Sequence, residues 1–304
     1  MNGAESLVRT LLQGGITTCF ANPGTSEMHF VAALDQIAGM HCVLGLQENI
    51  VTGMADGYYR IAGRPACTLL HCGPGLANGL ANLHNARRAR SGIVNIVGDQ
   101  ATYHRPFDAP LTTDTDALAR TVSHWVRTSS TASDVGRDAA AAIQAARTTP
   151  GQVATLILPS DTSWEVGGVV ADALPIPTPP PLDPFAVEHV ARVLRDEGKD
   201  TLILLAGQGV LEPAQALAWR VAVATGASIM GDSVNGRLAR SRPPADRACS
   251  LQHRPGACSL TPVQPYCAGQ RQSAGRLFRL PRQAITTLPI THATAHAVTP
   301  RPKC

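Results

Sequence analysis

The sequence predicts an α/β protein built around a parallel sheet with helices on both faces. Up to about residue 158, short apolar strands alternate with amphipathic helices and are separated by glycine-containing turns. A shorter run of the same pattern follows a proline-rich segment, and the composition changes abruptly near Arg240. These observations predict one α/β domain, an incomplete second α/β domain and a C-terminal tail of different character.

The elements of the first domain follow from apolar periodicity and from cap and turn residues. Asn2 can cap a helix that ends at Gly14-Gly15. The predicted strands are Thr17–Ala21, His41–Leu46, Ala66–His71, Ile93–Val97 and Val153–Leu158. The later predicted helices are Glu27–Ile37, Glu48–Ile61, one leading from the turn Cys72–Gly75 to about Arg88, and Asp134–Arg147.

Two parts of this domain carry further expectations. The helix Glu48–Ile61 has one apolar stripe starting at Ile50 and another starting at Val51, which together predict a wide buried face. The segment from Gly98 to Trp125 lacks periodicity and is predicted to be a long loop. Long loops without secondary structure are uncommon in compact domains and are usually functional.

A proline-rich segment separates the first domain from the second. Pro175–Pro184 has six prolines in ten residues, a composition that favours extended backbone over packed structure. We therefore predict a first domain at 1–168, a linker at 169–184 and a partial second domain at 185–240. The predicted elements of the second domain are helix Phe185–Arg195, strand Thr201–Ala206, helix Glu212–Thr225 and strand Ser228–Met230.

The net charge of +4 conceals a division between two parts of the chain. Residues 1–240 contain 17 Lys/Arg and 21 Asp/Glu, whereas residues 241–304 contain 9 and 1. The tail also lacks hydrophobic periodicity and is rich in proline and arginine. Because such a segment buries too little apolar surface to offset its ordering entropy, residues 241–304 are predicted to be a non-native or disordered tail.

Composition and motifs exclude several classes of protein. No apolar run approaches the ~20 residues that span a membrane, and the N-terminus lacks the basic and apolar regions of a secretory signal. No G-x-x-x-x-G-K or H-E-x-x-H motif occurs, which removes the main support for phosphoryl transfer and zinc proteolysis. We expect a cytoplasmic protein, with neither a nucleic acid nor a membrane as its partner.

Glu48 is the strongest single candidate for a functional residue. It follows an apolar strand directly and lies in the first turn of an amphipathic helix. Parallel sheets bind ligands at the carboxyl ends of their strands, so a carboxylate at this position is suited to a site. The alternative is that Glu48 only stabilises the helix dipole, which is common for acidic residues in a first turn.

Two other strand-to-helix turns have the same placement. Gly73–Gly79 follows a strand and opens a helix, where free amides can hold an anion or the edge of a cofactor. Its spacing is G-x-G-x-x-x-G, which departs from the dinucleotide fingerprint, and such turns need glycine for geometry alone. The turn Asn22–Thr25 follows the first strand. Together with Glu48, these turns are predicted to converge on one cleft.

Histidines and cysteines give weaker signals. His104 can act as a general acid or base, although a solvated loop histidine is the simpler interpretation. His71, at a strand end, is typical of a hydrogen-bonded core histidine. The cysteines of the first domain lie in or beside strands without a C-x-x-C pair and suit small buried residues. Cysteines and a histidine in the tail lack the close pairs of structural zinc sites, so no metal site is predicted.

Taken together, three segments resemble the thiamine-diphosphate enzymes. They are Phe20–Glu27, with Ala-Asn-Pro-Gly-Thr-Ser at its centre, Leu46–Arg60, and Gly73–Asn78. The similarity is to acetolactate synthase large subunits and benzoylformate decarboxylase, and it covers residues 1–165. Residues 185–240 resemble the beginning of that family's middle domain.

The resemblance implies a site for thiamine diphosphate. A family glutamate that matches Glu48 hydrogen-bonds N1′ of the aminopyrimidine and favours the tautomer that deprotonates the thiazolium C2. Thr25 matches a hydroxyl residue that contacts the substrate carboxylate in the decarboxylase branch, and His104 lies where related decarboxylases carry histidines. Glu48 and His104 are thus the expected catalytic residues. The residues expected at the cofactor are Pro23, Gly24, Glu48, His71, Gly73, Pro74 and Asn78.

The chain departs from the family pattern at two places. Acetolactate synthases usually carry Phe-Gln-Glu after the position of Gly98-Asp99, where this chain has Gln100–Phe107, so the 2-oxo acid substrate stays open, as does FAD binding. The family binds Mg²⁺ and the diphosphate through a C-terminal Gly-Asp-Gly motif, and Gly231-Asp232-Ser233 lacks the second glycine. Mg²⁺ is therefore expected only together with a C-terminal domain that is missing here.

Three functions stay open from the sequence. The first is a 2-oxo acid decarboxylase or carboligase that is acetolactate synthase-like or, alternatively, benzoylformate decarboxylase-like. The second is a truncated, catalytically incomplete fragment of such an enzyme. The third is an unrelated nucleotide-binding α/β module. Because the family places its cofactor between subunits, the resemblance also implies a homo-oligomer, a dimer or tetramer at full length, acting on a small 2-oxo acid.

Overall fold

The computed structural model describes residues 1–232 and 235–238, together with the strands Thr286–Ile290 and Ala293–Val298. The chain divides into two compact units, Met1–Pro179 and Pro180–Cys304. Apart from its two strands, the predicted tail at 241–304 lies outside the described residues. For the rest of the tail, the expected lack of structure therefore stays a prediction.

The first unit contains a six-stranded parallel sheet with the strand order β2-β1-β3-β4-β6-β5. The strands are β1 Thr18–Asn22, β2 His41–Leu44, β3 Ala66–Leu70, β4 Ile93–Asp99, β5 Trp125–Thr128 and β6 Val153–Pro159. The central strands β3, β4 and β6 are buried along their whole length, as expected for strands covered on both faces. The predicted parallel α/β fold is confirmed.

Helices cover both faces of this sheet and enclose two separate cores. They are α1 Gly3–Gln13, α2 Met28–Gln36, α3 Glu48–Ala62, α4 Cys72–Ala89, α5 Thr115–Val122, α6 Ala132–Arg147 and α7 Ser160–Trp164. One core holds Leu7 of α1, Phe30 of α2 and Ile143 of α6. The other holds Val51 of α3 and Leu83 of α4.

The start of α1 agrees with the sequence prediction in atomic detail. The Asn2 side chain accepts a hydrogen bond from the Glu5 amide at 2.8 Å, and the Glu5 carboxylate accepts one from the Asn2 amide at 3.2 Å. This reciprocal pair is a capping box, which satisfies amides that a helix start leaves free.

Some predictions about elements were wrong. The segment 100–125 is not a continuous loop, because Asp114 caps the short helix α5 and Trp125 begins the edge strand β5. The turn Cys72–Gly75 is the first turn of α4. The buried face of α3 is narrower than predicted, since the side chain of Ile50 is 53% exposed while Val51 is buried.

The second unit forms a smaller sheet with the order β8-β7-β10-β9. Its elements are α8 Pro184–Glu197, β7 Leu202–Ala206, α9 Glu212–Thr225, β8 Ser228–Gly231, β9 Thr286–Ile290 and β10 Ala293–Val298. β7 pairs with β8 in parallel, as the βα pattern predicts, and with β10 in antiparallel orientation. In the described part of the chain, no helix combines the length and the apolar character needed to cross a membrane.

Candidate functional site

The strand order brings the ends of β1, β2 and β3 together, because β1 lies between the other two. The Asn22 side chain, at the end of β1, donates a hydrogen bond to the carbonyl oxygen of Gly45 after β2 at 3.0 Å. On the other side of β1, Glu27 is hydrogen-bonded to His71, which follows β3. The three turns named from the sequence therefore lie at one edge of the sheet.

Glu48 lies at this edge as the first residue of α3. The Gln47 side chain caps the helix by accepting a hydrogen bond from the Ile50 amide at 3.2 Å. The Glu48 side chain is only partly buried, and its Oε2 accepts a hydrogen bond from Nδ2 of Asn78 at 3.0 Å. Two residues predicted as site residues are thus in direct contact, although they are 30 positions apart.

Gly75 leaves the space that the Glu48 carboxylate occupies. A Cβ at Gly75 would lie 3.0 Å from Oε1 of Glu48 and 3.5 Å from Cβ of His71. Any larger residue would therefore push the carboxylate away from α4. The glycine predicted from turn geometry has a second role here, because it allows the carboxylate to approach the start of α4.

Buried polar contacts hold α3 and α4 together behind Glu48. The Thr52 hydroxyl is within 3.2 Å of the carbonyl oxygen of Gly79 on α4 and of carbonyl oxygens in its own helix. Asn82 donates from its side chain to the Asn49 carbonyl oxygen at 2.7 Å and from its amide to the Asn49 side chain at 3.3 Å. These contacts fix the helix that carries Glu48 relative to the helix that carries Asn78.

Glu27 is a buried carboxylate that the sequence analysis did not single out. It is 1% exposed and accepts hydrogen bonds on Oε2 from the Gly24 amide at 2.8 Å and from Nδ1 of His71 at 2.8 Å. A Cβ at Gly24 would collide with the His71 ring, and a Cβ at Gly98 would collide with the Glu27 carboxylate, so both positions need glycine. Glu27 could have been found from its position three residues after Gly24, because this is the spacing of a capping box.

Cys72 adjoins the Glu27–His71 pair. Its thiol lies 3.3 Å from Oγ of Ser26 and 3.9 Å from Oε1 of Glu27. Burial, together with the negative charges of Glu27 and Asp99, raises the pKa of this thiol to about 12. The backbone at Cys72 has a φ of 52°, a left-handed conformation that is uncommon for residues other than glycine.

The segment after β4 folds back toward the start of α4. Arg105 donates a hydrogen bond to the carboxylate of Asp99, which is 1% exposed. Burial raises the pKa of Asp99, and the positive charge of Arg105 opposes that shift. A Cβ at Gly73 would lie 2.3 Å from Cβ of Thr113, so Gly73 is required for this segment to pack on α4.

The structure brings most of the predicted site residues to this edge and leaves several of them open to solvent. Thr25, Pro74, Asn78 and His104 are exposed, Pro23, Gly24, Glu48 and His71 are partly buried, and Gly73 is buried. His104 stacks edge-on against Tyr103, with ring centroids 4.4 Å apart, and has no described contact with Glu48. The expectation that the cysteines are buried was wrong for Cys42, which is exposed on the edge strand β2.

Comparisons with known proteins relate the first part of the chain to thiamine pyrophosphate enzymes. Residues 1–122 match the sequence model of the family described as thiamine pyrophosphate enzyme, N-terminal TPP binding domain. A Mycobacterium tuberculosis protein provisionally named as the acetolactate synthase large subunit IlvX is 55% identical over 227 residues, which are 75% of this chain and 43% of that protein. Benzoylformate decarboxylase of Pseudomonas aeruginosa is 35% identical over 152 residues, 50% of this chain and 28% of the enzyme.

A solved structure shares the fold. It is the thiamine diphosphate-dependent 4-hydroxybenzoylformate decarboxylase of Rhodococcus jostii RHA1, with a TM-score of 0.67 and 23% identity over 76% of this chain and 44% of that one. The first unit is therefore an α/β domain of the kind that thiamine-diphosphate enzymes use. Residues 1–122 match the N-terminal domain of that family, as the motifs predicted, and the chain spans less than half the length of these relatives.

Proposed function

We propose that the edge formed by β1, β2 and β3 binds the aminopyrimidine end of thiamine diphosphate, with Glu48 at its ring nitrogen. The observation that supports this most directly is the Glu48–Asn78 contact beside Gly75. A carboxylate held by an amide, with one oxygen left without a described hydrogen-bond partner, has the chemistry needed to exchange a proton with a ring nitrogen. The residues present therefore fit the cofactor.

Each residue has a defined task in this proposal. When bound, the cofactor supplies an electron sink for cleaving the bond next to the carbonyl group of a 2-oxo acid. Asn78 donates to Oε2 of Glu48 and orients the carboxylate, so that Oε1 is available to hold a proton at the pyrimidine nitrogen. Gly75 leaves space for the Glu48 carboxylate at the start of α4, and Gly73 leaves space for Thr113, with Pro74 exposed between the two glycines.

The proposed reaction is decarboxylation or carboligation of a small 2-oxo acid, as in an acetolactate synthase. The similarity to the Mycobacterium tuberculosis relative over 75% of the chain supports this choice. A benzoylformate decarboxylase-like reaction is the second candidate. The exposed Thr25 on the turn after β1 favours it, because a hydroxyl there can hold a substrate carboxylate. His104, on the segment after β4, is exposed and is the proposed acid or base for either reaction.

Thiamine diphosphate titration of the full chain by calorimetry tests the proposal. Mg²⁺ is included because diphosphate oxygens bind it, while NAD and ATP serve as competing ligand classes. We expect heat of binding for thiamine diphosphate alone among these ligands. Glu48→Gln should weaken that binding about 10-fold or more, the effect of losing a charge-assisted hydrogen bond. Any consumption of pyruvate or benzoylformate should fall by about 10²–10⁴ in the same variant.

Glu212→Gln is a matched control, because Glu212 is also the first residue of a helix and is exposed. Both variants remove a favourable charge at a helix start. Only Glu48 contacts an asparagine of the candidate site. Equal thiamine diphosphate affinity in the two variants would show that Glu48 only stabilises its helix. Binding of NAD or ATP in place of thiamine diphosphate would favour a nucleotide-binding module.

A further inference from the structure

We propose that Glu27, His71 and Cys72 form a binding site for a thiophilic divalent cation, Zn²⁺ in the first instance. Each residue offers one ligand atom, and these atoms lie within 4.8 Å of one another. Tetrahedral Zn²⁺ holds ligands at about 2.0–2.3 Å, which places them roughly 3.3–3.8 Å apart. Small rotations of the three side chains, which move their ligand atoms by about 1 Å, would bring these atoms to the tetrahedral spacing.

The type of ligand favours a borderline-soft metal. One imidazole, one thiolate and one carboxylate are the ligands that Zn²⁺ takes from proteins, whereas Mg²⁺ prefers oxygen alone. The carboxylate of Glu27 and a thiolate at Cys72 would together balance the charge of the ion. Three protein ligands leave the fourth position for water or an anion.

The surroundings hold these ligands in place. The Gly24 amide donates to Oε2 of Glu27 at 2.8 Å, which fixes the carboxylate that would bind the ion. Gly98 supplies the space around Oε1, since a Cβ there would lie 1.6 Å from that oxygen. The left-handed backbone at Cys72 directs Sγ toward Ser26 and Glu27. Strained conformations of this kind concentrate at functional positions.

Binding would replace one proton, that of the Cys72 thiol, by the cation. The Cys72 thiol gives its proton to solvent and binds through Sγ. The neutral His71 ring carries its proton on Nε2 in the bound state, so that Nδ1 and a carboxylate oxygen of Glu27 become ligands. No oxidation takes place. The site lies beside the proposed pyrimidine site and does not include Glu48 or Asn78, so its occupancy can be measured without thiamine diphosphate.

The test uses the full chain with Cys249, Cys258, Cys267 and Cys304 changed to serine, so that the cysteines beyond residue 240 contribute nothing. This protein is freed of metal with a chelator and titrated with Co²⁺, a probe whose absorption reveals a thiolate ligand. We expect a thiolate-to-cobalt charge-transfer band that Zn²⁺ abolishes by displacement. Cys72→Ser should remove the band, and Cys42→Ser, which changes a cysteine outside the cluster, should leave it intact.

A second measurement counts bound Zn²⁺ by equilibrium dialysis. Cys72→Ser and His71→Gln should each lose about one equivalent, and circular dichroism checks that both are folded. His71→Gln keeps the thiol and changes a side chain that is 23% exposed, so it tests the site even if Cys72→Ser does not fold. A missing charge-transfer band, or equal Zn²⁺ binding in wild type and His71→Gln, would overturn the proposal and leave a hydrogen-bonded network only.

Discussion

Arg105 offsets the cost of a buried carboxylate at the end of β4. Asp99 is 1% exposed, whereas the Arg105 side chain is 37% exposed. We expect Arg105→Met to destabilise the protein by about 1–3 kcal/mol, less than the full loss of a buried pair because solvent already screens the arginine. Chemical denaturation gives the free energy of unfolding that checks this value.

The sign of the pH dependence follows from the Asp99 carboxyl group. Burial raises its pKa, and loss of Arg105 would raise that pKa further. The folded variant then binds a proton at Asp99 more tightly than the unfolded chain does. Its stability relative to wild type is therefore greatest below the ordinary carboxyl pKa near 4. That stability declines as the pH rises toward neutrality. Arg120→Met breaks an exposed pair with Asp116 and should cost under about 1 kcal/mol without this trend. Identical pH profiles for the two variants would contradict the assignment.

At the scale of elements, the packing of α3 on α4 sets the position of Glu48. A Cβ at Gly79 would lie 3.0 Å from Cγ2 of Thr52 and 3.3 Å from Cδ1 of Leu70. Gly79→Ala should therefore separate the helices, destabilise the fold by about 1–3 kcal/mol and weaken thiamine diphosphate binding through the shifted Glu48. Unfolding by denaturant and calorimetric titration measure the two effects.

Gly57→Ala provides the opposite expectation within α3. No atom lies within 4 Å of a Cβ at Gly57, so alanine should stabilise the helix by about 0.5–1 kcal/mol and leave binding unchanged. If Gly79→Ala bound thiamine diphosphate as tightly as Gly57→Ala does, close contact of the helices would not be what positions Glu48.

The sequence predicted elements well where periodicity was long and poorly where it was short. The Asn2 cap, the helix from Glu48 and the helix Glu212–Thr225 were all found from spacing and capping residues. The eight-residue helix α5 was missed, because it buries only a few side chains and follows an unpatterned segment. The strands β9 and β10 were also missed, because β10 pairs with β7, which is distant in sequence, and β9 pairs with β10.

The candidate site shows the same division between local and long-range information. Residues that follow a strand directly, such as Glu48 and Gly73, could be found from their position. Glu27 could not be recognised as a buried partner of His71, because that contact joins residues 44 positions apart. The exposure of Ile50 likewise depends on which neighbour covers α3, and apolar periodicity does not report that.

At the scale of the whole molecule, three apolar side chains close to Glu48 in sequence are exposed. Leu44 ends β2, Leu46 lies in the turn that follows, and Ile50 lies in the first turn of α3; these side chains are 69%, 85% and 53% exposed. Single exposed apolar residues are common, but a group beside a ligand site is typical of an interaction surface. We propose that this surface meets a second copy of the chain, which is the homo-oligomer expected from the family resemblance.

Leu46→Asp tests this association, because it places a charge at the most exposed of these side chains without touching the core. A carboxylate buried at an interface without a partner is costly, so we expect self-association to weaken at least about 10-fold, equivalent to ~1.4 kcal/mol. Sedimentation equilibrium over a range of protein concentrations measures the change. Ile61→Asp is the matched control, since Ile61 is 73% exposed near the opposite end of α3. A wild-type chain that stays monomeric throughout, or equal weakening by both substitutions, would show that this surface does not join two copies.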